Sequence, residues 1–149
     1  MLKLGITGGI GSGKTTVCRL FELLGIPVYY ADDESKKLLD EDKVVKEQVL
    51  KLFGTTDRKQ LAGIVFNDKQ KLEQLNAILH PAVGLHFENW LKKQNAPYIL
   101  KEAAILFESG ASLAMDKVIT VAAPLELKIQ RAMMRDKSTR EQIEERIKN

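Results

Sequence analysis

Residues Gly8-Gly9-Ile10-Gly11-Ser12-Gly13-Lys14-Thr15 follow an apolar run, Leu2 to Thr7, and precede a helical pattern. No other feature restricts the fold of this chain so strongly. Glycines here let the backbone close on a ligand with no Cβ in the way. Successive N–H groups and the positive end of the next helix then face an anion. A lysine at the end of the loop adds a point charge for β and γ phosphates, and the following hydroxyl is placed to ligate Mg²⁺. The spacing is therefore that of a nucleotide phosphate loop, with Gly9, Gly11, Ser12, Gly13, Lys14, Thr15 and Thr16 as the expected nucleotide-binding set.

Around the loop, strand and helix patterns alternate. Val17, Leu20, Phe21 and Leu24 have helical spacing and Gly25 stops that helix. Pro27 to Tyr30 reads as a second strand delivering Ala31-Asp32-Asp33 at its carboxyl end, with a helix expected from near Glu34 and Asp33 as its cap. From Asp42 to Asn95 the chain reads as helical only, with Val44, Val45, Val49, Leu50 and Phe53 on one face and caps at Asp57 and Asp68. Pro81 is expected to bend or break the last long helix after His80. Strands at Pro97 to Leu100 and Lys117 to Ala122 resume the sheet, and helices follow over Leu125 to Met134 and from Thr139.

The pattern predicts a three-layer α/β/α kinase fold with a parallel sheet, a helical substrate-binding insert and lid helices. Residues 1–41 and 96–149 are expected to form the nucleotide-binding core, with a lid over about 124–149, and residues 42–95 the insert. Only four strands are visible, so a further edge strand is expected in residues beyond those of this sequence.

Composition narrows the partners. The chain has 149 residues, about one domain, and a net charge of +3, which suits a phosphorylated ligand and does not call for nucleic acid. One cysteine, Cys18, allows no intrachain disulfide and reads as a buried apolar residue in a reducing compartment. The N-terminus lacks signal-peptide character and no apolar stretch approaches membrane-spanning length, so a cytoplasmic location without a membrane partner is expected. Asn67-Asp68-Lys69 is neither the guanine-reading Asn-Lys-x-Asp segment nor late in the sheet, which disfavours a GTPase.

A small-molecule kinase is left as the leading class, using ATP and Mg²⁺. Such an enzyme needs a carboxylate at the acceptor hydroxyl, support for the metal and cations over the transferring group. Asp32, after the second strand, is the candidate base. Glu102, at the end of the third strand, is the candidate metal-supporting carboxylate, with Thr15 as direct ligand. Arg131 and Arg135, four apart on one helix, share a face and are candidate lid arginines. A different nucleoside or nucleotide kinase, or a non-catalytic ATP-binding module, remains open on these residues alone.

The order of the phosphate loop, Tyr30-Ala31-Asp32, Asp57-Arg58 with Leu61 and Phe66, Leu79-His80-Pro81, Leu106-Phe107-Glu108 and Arg131 through Arg135-Asp136 resembles that of dephospho-CoA kinases along essentially the whole chain. The resemblance implies ATP-dependent phosphorylation of the ribose 3′-hydroxyl of dephospho-coenzyme A, the last step of coenzyme A synthesis. It also implies that Asp32 acts on that hydroxyl and that His80 belongs to the substrate domain. Leu106, Phe107 and Glu108 would border the substrate, and Arg131 and Arg135 would belong to the lid. Four features depart from the family pattern. Tyr30 stands where an aspartate is frequent, Ala104 replaces a proline, and the connection at Thr55-Thr56 is short. The family also continues beyond the helix ending at Asn149 into a strand and an asparagine-bearing base-recognition segment.

Overall fold

The computed structural model describes residues 1–148 and divides into two compact units, Met1–Tyr30 with the residues from Asn95 onward, and Ala31–Gln94. The first unit holds the sheet. Strands β1 (Leu2–Thr7), β2 (Val28–Tyr30), β3 (Tyr98–Glu102) and β4 (Lys117–Thr120) are all parallel and lie in the order β2-β3-β1-β4. Their register pairs Ile6 and Tyr30 with Glu102, and Thr7 with Thr120, so the carboxyl ends of all four strands form one edge. The chain leaves β1 toward β2 and leaves β3 toward β4, in opposite directions along the sheet. The ends of β1 and β3 therefore flank the switch point, where ligands bind in open parallel sheets.

Helix α1 (Lys14–Leu23) follows β1, and its buried Cys18 joins Ile6 and Leu100 in the core of this unit, with Val17 and Phe21 partly buried against them. Leu20 and Leu24, which share the helical spacing, are 57% and 76% exposed instead. Tyr98 meets Phe21 edge to face at 6.4 Å. Helices α6 (Leu125–Asp136) and α7 (Arg140–Lys148) close the described chain, with Ile129, Ala132 and Ile143 fully buried together.

The second unit is helical: α2 (Ala31–Glu41), α3 (Lys43–Phe53), α4 (Arg58–Val65) and α5 (Lys69–Leu91). Side chains of Asp42, Asp57 and Asp68 accept from the N–H groups of Val45, Gln60 and Lys71, each satisfying a donor that the first helical turn leaves open. Leu39, Val45, Val49, Leu61, Leu75 and Leu79 form the core. Val44 and Leu50 lie outside it, at 62% and 53% exposure, because they flank the buried Val45 and Val49 stripe.

Three expectations change here. The boundary falls after Tyr30, not at residue 41, because Leu39 of α2 is buried in the core of the helical unit. Helix α2 also starts at Ala31, directly after β2, so Asp33 is no cap; it sits in the first turn and pairs with Lys36 at 2.8 Å. The third change is α5, which runs unbroken through Pro81. A mid-helix proline costs roughly 3 kcal/mol. Leu75, Leu79, Val83 and Phe87 are all buried at intervals of four residues, so the apolar stripe continues across the proline and its burial outweighs that cost. Phe87 further stacks on Trp90 at 6.0 Å.

Candidate active site

The phosphate loop grows out of β1 at the switch-point edge. Gly11 has φ +71° and Gly13 φ +100°, backbone that an L side chain rarely adopts. A Cβ at Gly8 would collide with the Val121 carbonyl oxygen, and one at Gly11 with that of Lys128. Glycine is thus required by close approach as well as by dihedral angle. Gly13 occupies the cap position of α1, so the N–H groups of the first helical turn converge at the loop.

Lys14 Nζ donates to the Gly8 carbonyl at 2.7 Å and lies 3.9 Å from Glu102 Oε1. Glu102 is only 7% exposed, and its place beside the lysine is set by the β1–β3 register. Ser12 is buried, and among the described residues its Oγ has no hydrogen-bond partner. Thr15 and Thr16 are exposed on the first turn of α1.

Helix α6 backs the loop. Ile10 packs on Ile129, Ala132 and Ile143, while Arg131 lies with a terminal guanidinium nitrogen 3.4 Å from the carbonyl oxygens of both Gly11 and Ser12. A loop that can close on phosphate, an ammonium, a buried carboxylate and an arginine helix are thereby gathered in one unit. This set is what phosphoryl transfer from a nucleoside triphosphate requires.

A family model described as CoaE, dephospho-CoA kinase, matches residues 2–149. The chain belongs to the dephospho-CoA kinase family. It is 40% identical over 156 residues to a dephospho-CoA kinase of Bacteroides fragilis, covering 99% of this chain and 76% of that relative. Against the dephospho-CoA kinase of Chlorobium chlorochromatii identity is 38%, over 98% of this chain and 76% of the relative. A solved structure from Thermus thermophilus superposes with TM-score 0.87 at 34% identity, over 97% of this chain and 78% of that one. The dephospho-CoA kinase structure from Campylobacter jejuni gives 0.64 at 32%, over 98% and 78%. Shikimate kinase from Acinetobacter baumannii, at 21% identity, TM-score 0.52 and coverage of 99% and 73%, shares the fold. The chain is accordingly a kinase with the phosphate-loop α/β architecture that its sequence predicts.

Within that family frame, the remaining candidates separate. Arg131 and Arg135 sit on one helix but have different partners. Arg135 donates to both carboxylate oxygens of Asp136, at 2.6 and 3.0 Å, and Arg146 of α7 donates to the same carboxylate at 2.7 Å. The Arg135 hydrogen bonds, then Arg146, hold the Asp136 carboxyl far below its ordinary value against the opposing effect of burial. Of these two arginines, Arg131 is the one that touches the phosphate loop.

The Leu106 side chain is fully buried, and a Cβ at Gly5 would stand 2.6 Å from its Cδ2, so Leu106 packs in the core. Phe107, 56% exposed, and Glu108, also exposed, are the members of that segment that reach solvent. His80 lies mid-helix on α5, exposed, its pKa lowered by desolvation. Asp32 is half-buried in the first turn of α2, two residues after Tyr30, the strand residue that registers with Glu102.

Tyr30, where the family often has an aspartate, belongs to the core around Cys18 and hydrogen-bonds Glu22 of α1. Desolvation and then Glu22 raise its pKa. Cys18 is fully buried and its thiol is pushed up to about 12, by desolvation first and the charge of Glu102 second, which makes it an inert packing residue. The contacts of α6 with the loop, through Ile10, Lys128 and Arg131, escaped the sequence reading. The i, i+3 spacing of Lys128 and Arg131 was the signal that could have found them.

Proposed function

We propose that this chain moves the γ-phosphoryl group of ATP to the ribose 3′-hydroxyl of dephospho-coenzyme A, giving ADP and coenzyme A, the closing step of coenzyme A synthesis. One observation carries the reading. In a member of the dephospho-CoA kinase family, Lys14 lies inside a closed glycine loop with its Nζ 3.9 Å from the buried Glu102.

In this reading the N–H groups of Gly9, Gly11, Ser12 and Gly13 and the first turn of α1, with Thr15 and Thr16, receive the β and γ phosphates. Lys14 exchanges its bond to the Gly8 carbonyl for the phosphate oxygens. The Ser12 hydroxyl, buried without a partner among the described residues, is positioned in the same loop to donate to the nucleotide. Asp32 orients the acceptor hydroxyl and takes its proton as the new O–P bond forms and the bond to the ADP oxygen breaks. Arg131 and Arg135 answer the charge that spreads over the transferring group, and for Arg135 this means leaving Asp136. The helical unit, with His80, and the exposed Phe107 and Glu108 serve the acceptor.

Mg²⁺ accompanies the nucleotide in this reading. Among the described residues no cluster of three His, Cys, Asp or Glu side chains could hold a metal ion by itself. That donor set fits an ion carried in on phosphate oxygens, which needs only one or two protein ligands. The Thr15 hydroxyl would bind it directly and the Glu102 carboxylate through water. The ion supplies neutralisation of the β and γ phosphate charge. A cytoplasmic location is supported by the lone buried thiol. None of the described helices is long and apolar enough to cross a membrane.

The test is ADP release from Mg²⁺-ATP with dephospho-coenzyme A, adenosine, AMP or no acceptor. Stimulation by dephospho-coenzyme A alone is expected. Stimulation by AMP or adenosine instead would reassign the acceptor, and ATP binding without any acceptor-dependent ADP would leave a binding module.

A further inference from the structure

Helix α6 lies along the phosphate loop and meets it at several points. Ile10 packs, partly buried, against Ile129, Ala132 and Ile143, and the Lys128 backbone closes against Gly11 so tightly that a Cβ there would strike the Lys128 carbonyl. One turn further, Arg131 spans the Gly11 and Ser12 carbonyls and comes within 3.7 Å of where a Gly13 Cβ would lie. Toward the start of the loop, Lys128 Nζ stands 3.6 Å from the Cβ position of Gly9. Residues three apart on a helix share a face, so this face carries one cation toward each end of the loop.

The two cations differ in how they are satisfied. Arg131 donates to loop carbonyls. Lys128 is half-buried, yet among the described residues its ammonium makes no hydrogen bond and no ion pair. The arginines of α6 and α7 outside the loop contact are neutralised by carboxylates: Arg135 and Arg146 by Asp136, Arg140 by Glu126 and Glu144. Lys14, Arg131 and Lys128 thus bring three cations to one loop, and an anion bound there gains from each of them.

We propose that Lys128 is a second ammonium for the polyphosphate of ATP, acting on the Gly9 side of the loop as Lys14 acts within it. The proposal rests on the reading of Gly8–Thr15 as the ATP site. Lys128 reaches the phosphate loop from α6, so it also couples docking of that helix to the charge of the nucleotide.

Titration calorimetry of Mg²⁺-ATP into the full chain tests this without any acceptor. Lys128→Met keeps the apolar stem beside Gly9 and Gly11 and removes only the charge. It is expected to weaken ATP binding about fivefold to tenfold and to make that binding less sensitive to salt. Lys128→Arg should restore affinity to within about twofold of the native chain, since it restores the charge. Unchanged ATP affinity and salt dependence in Lys128→Met, while the native chain binds ATP, would overturn the role of Lys128 and leave the ATP site standing. Weakening that Lys128→Arg does not rescue would equally overturn it, as a packing effect. No ATP binding by the native chain would overturn both.

Discussion

Glycines of the phosphate loop and glycines of the helical unit behave in opposite ways. At the phosphate loop a Cβ on Gly8 or Gly11 meets backbone of another segment, Val121 or Lys128, which cannot yield as a side chain can. In the helical unit Gly54, Gly63 and Gly84 have nothing within 4 Å of a Cβ position. The loop is built by backbone approaching backbone, so its sequence is dictated residue by residue. The helical unit is built by apolar stripes and aspartate caps, which many sequences satisfy.

Substitutions can break or sharpen this comparison. Lys14→Ala should nearly abolish phosphoryl transfer, lowering kcat by on the order of 10³-fold or more, because the ammonium acts where charge develops. Steady-state ADP release measures it, and a loss below tenfold would show that the loop does not perform the chemistry. Asp32→Asn, in the helical unit, should reduce turnover roughly 10²-fold or more while leaving ATP affinity near native. Equal losses of turnover and ATP affinity would remove Asp32 from proton transfer and make it a binding residue.

Smaller effects fall on stability. Gly11→Ala must move α6 off the loop and adopt a positive φ, so a loss of about 2–3 kcal/mol by urea unfolding, with weaker ATP binding, is expected. Gly84→Ala should do the reverse, stabilising the chain by about 0.5–1 kcal/mol, since α5 gains a better helix former in open space. A destabilised Gly84→Ala would mean that the helical unit is as tightly specified as the loop. Least in energy is the thiol: Cys18 should resist alkylation near pH 8 in the native state and react on unfolding, as burial and Glu102 disfavour its thiolate.

Much of the architecture was legible because its causes are local. The phosphate loop, the parallel sheet and the caps at Asp57 and Asp68 each follow from a few neighbouring residues and their dihedral or hydrogen-bond needs. The path of α5 was not, since the proline rule is local whereas the burial of Val83 and Phe87 that overrides it is tertiary. The two lid arginines looked equivalent at i and i+4. Asp136 and Arg146 distinguish them, and an ion pair between α6 and α7 depends on how those helices dock. Leu106 likewise took its place in the core from Gly5, a residue 101 positions away in sequence.

By itself, then, the sequence determined that a phosphate loop sits between a strand and a helix, that the fold is a parallel α/β kinase with a helical insert, and which family's motifs it carries. Those features are encoded by spacing, and spacing survives without a third dimension. Tertiary structure alone decided that Glu102 is buried beside Lys14, that α2 belongs with the helical unit, that Arg131 reaches the loop while Arg135 is held by Asp136, and that Lys128 stands over Gly9. Each of these joins segments far apart in the chain, through register or helix docking, and the energies involved exist only once both partners are brought together out of water.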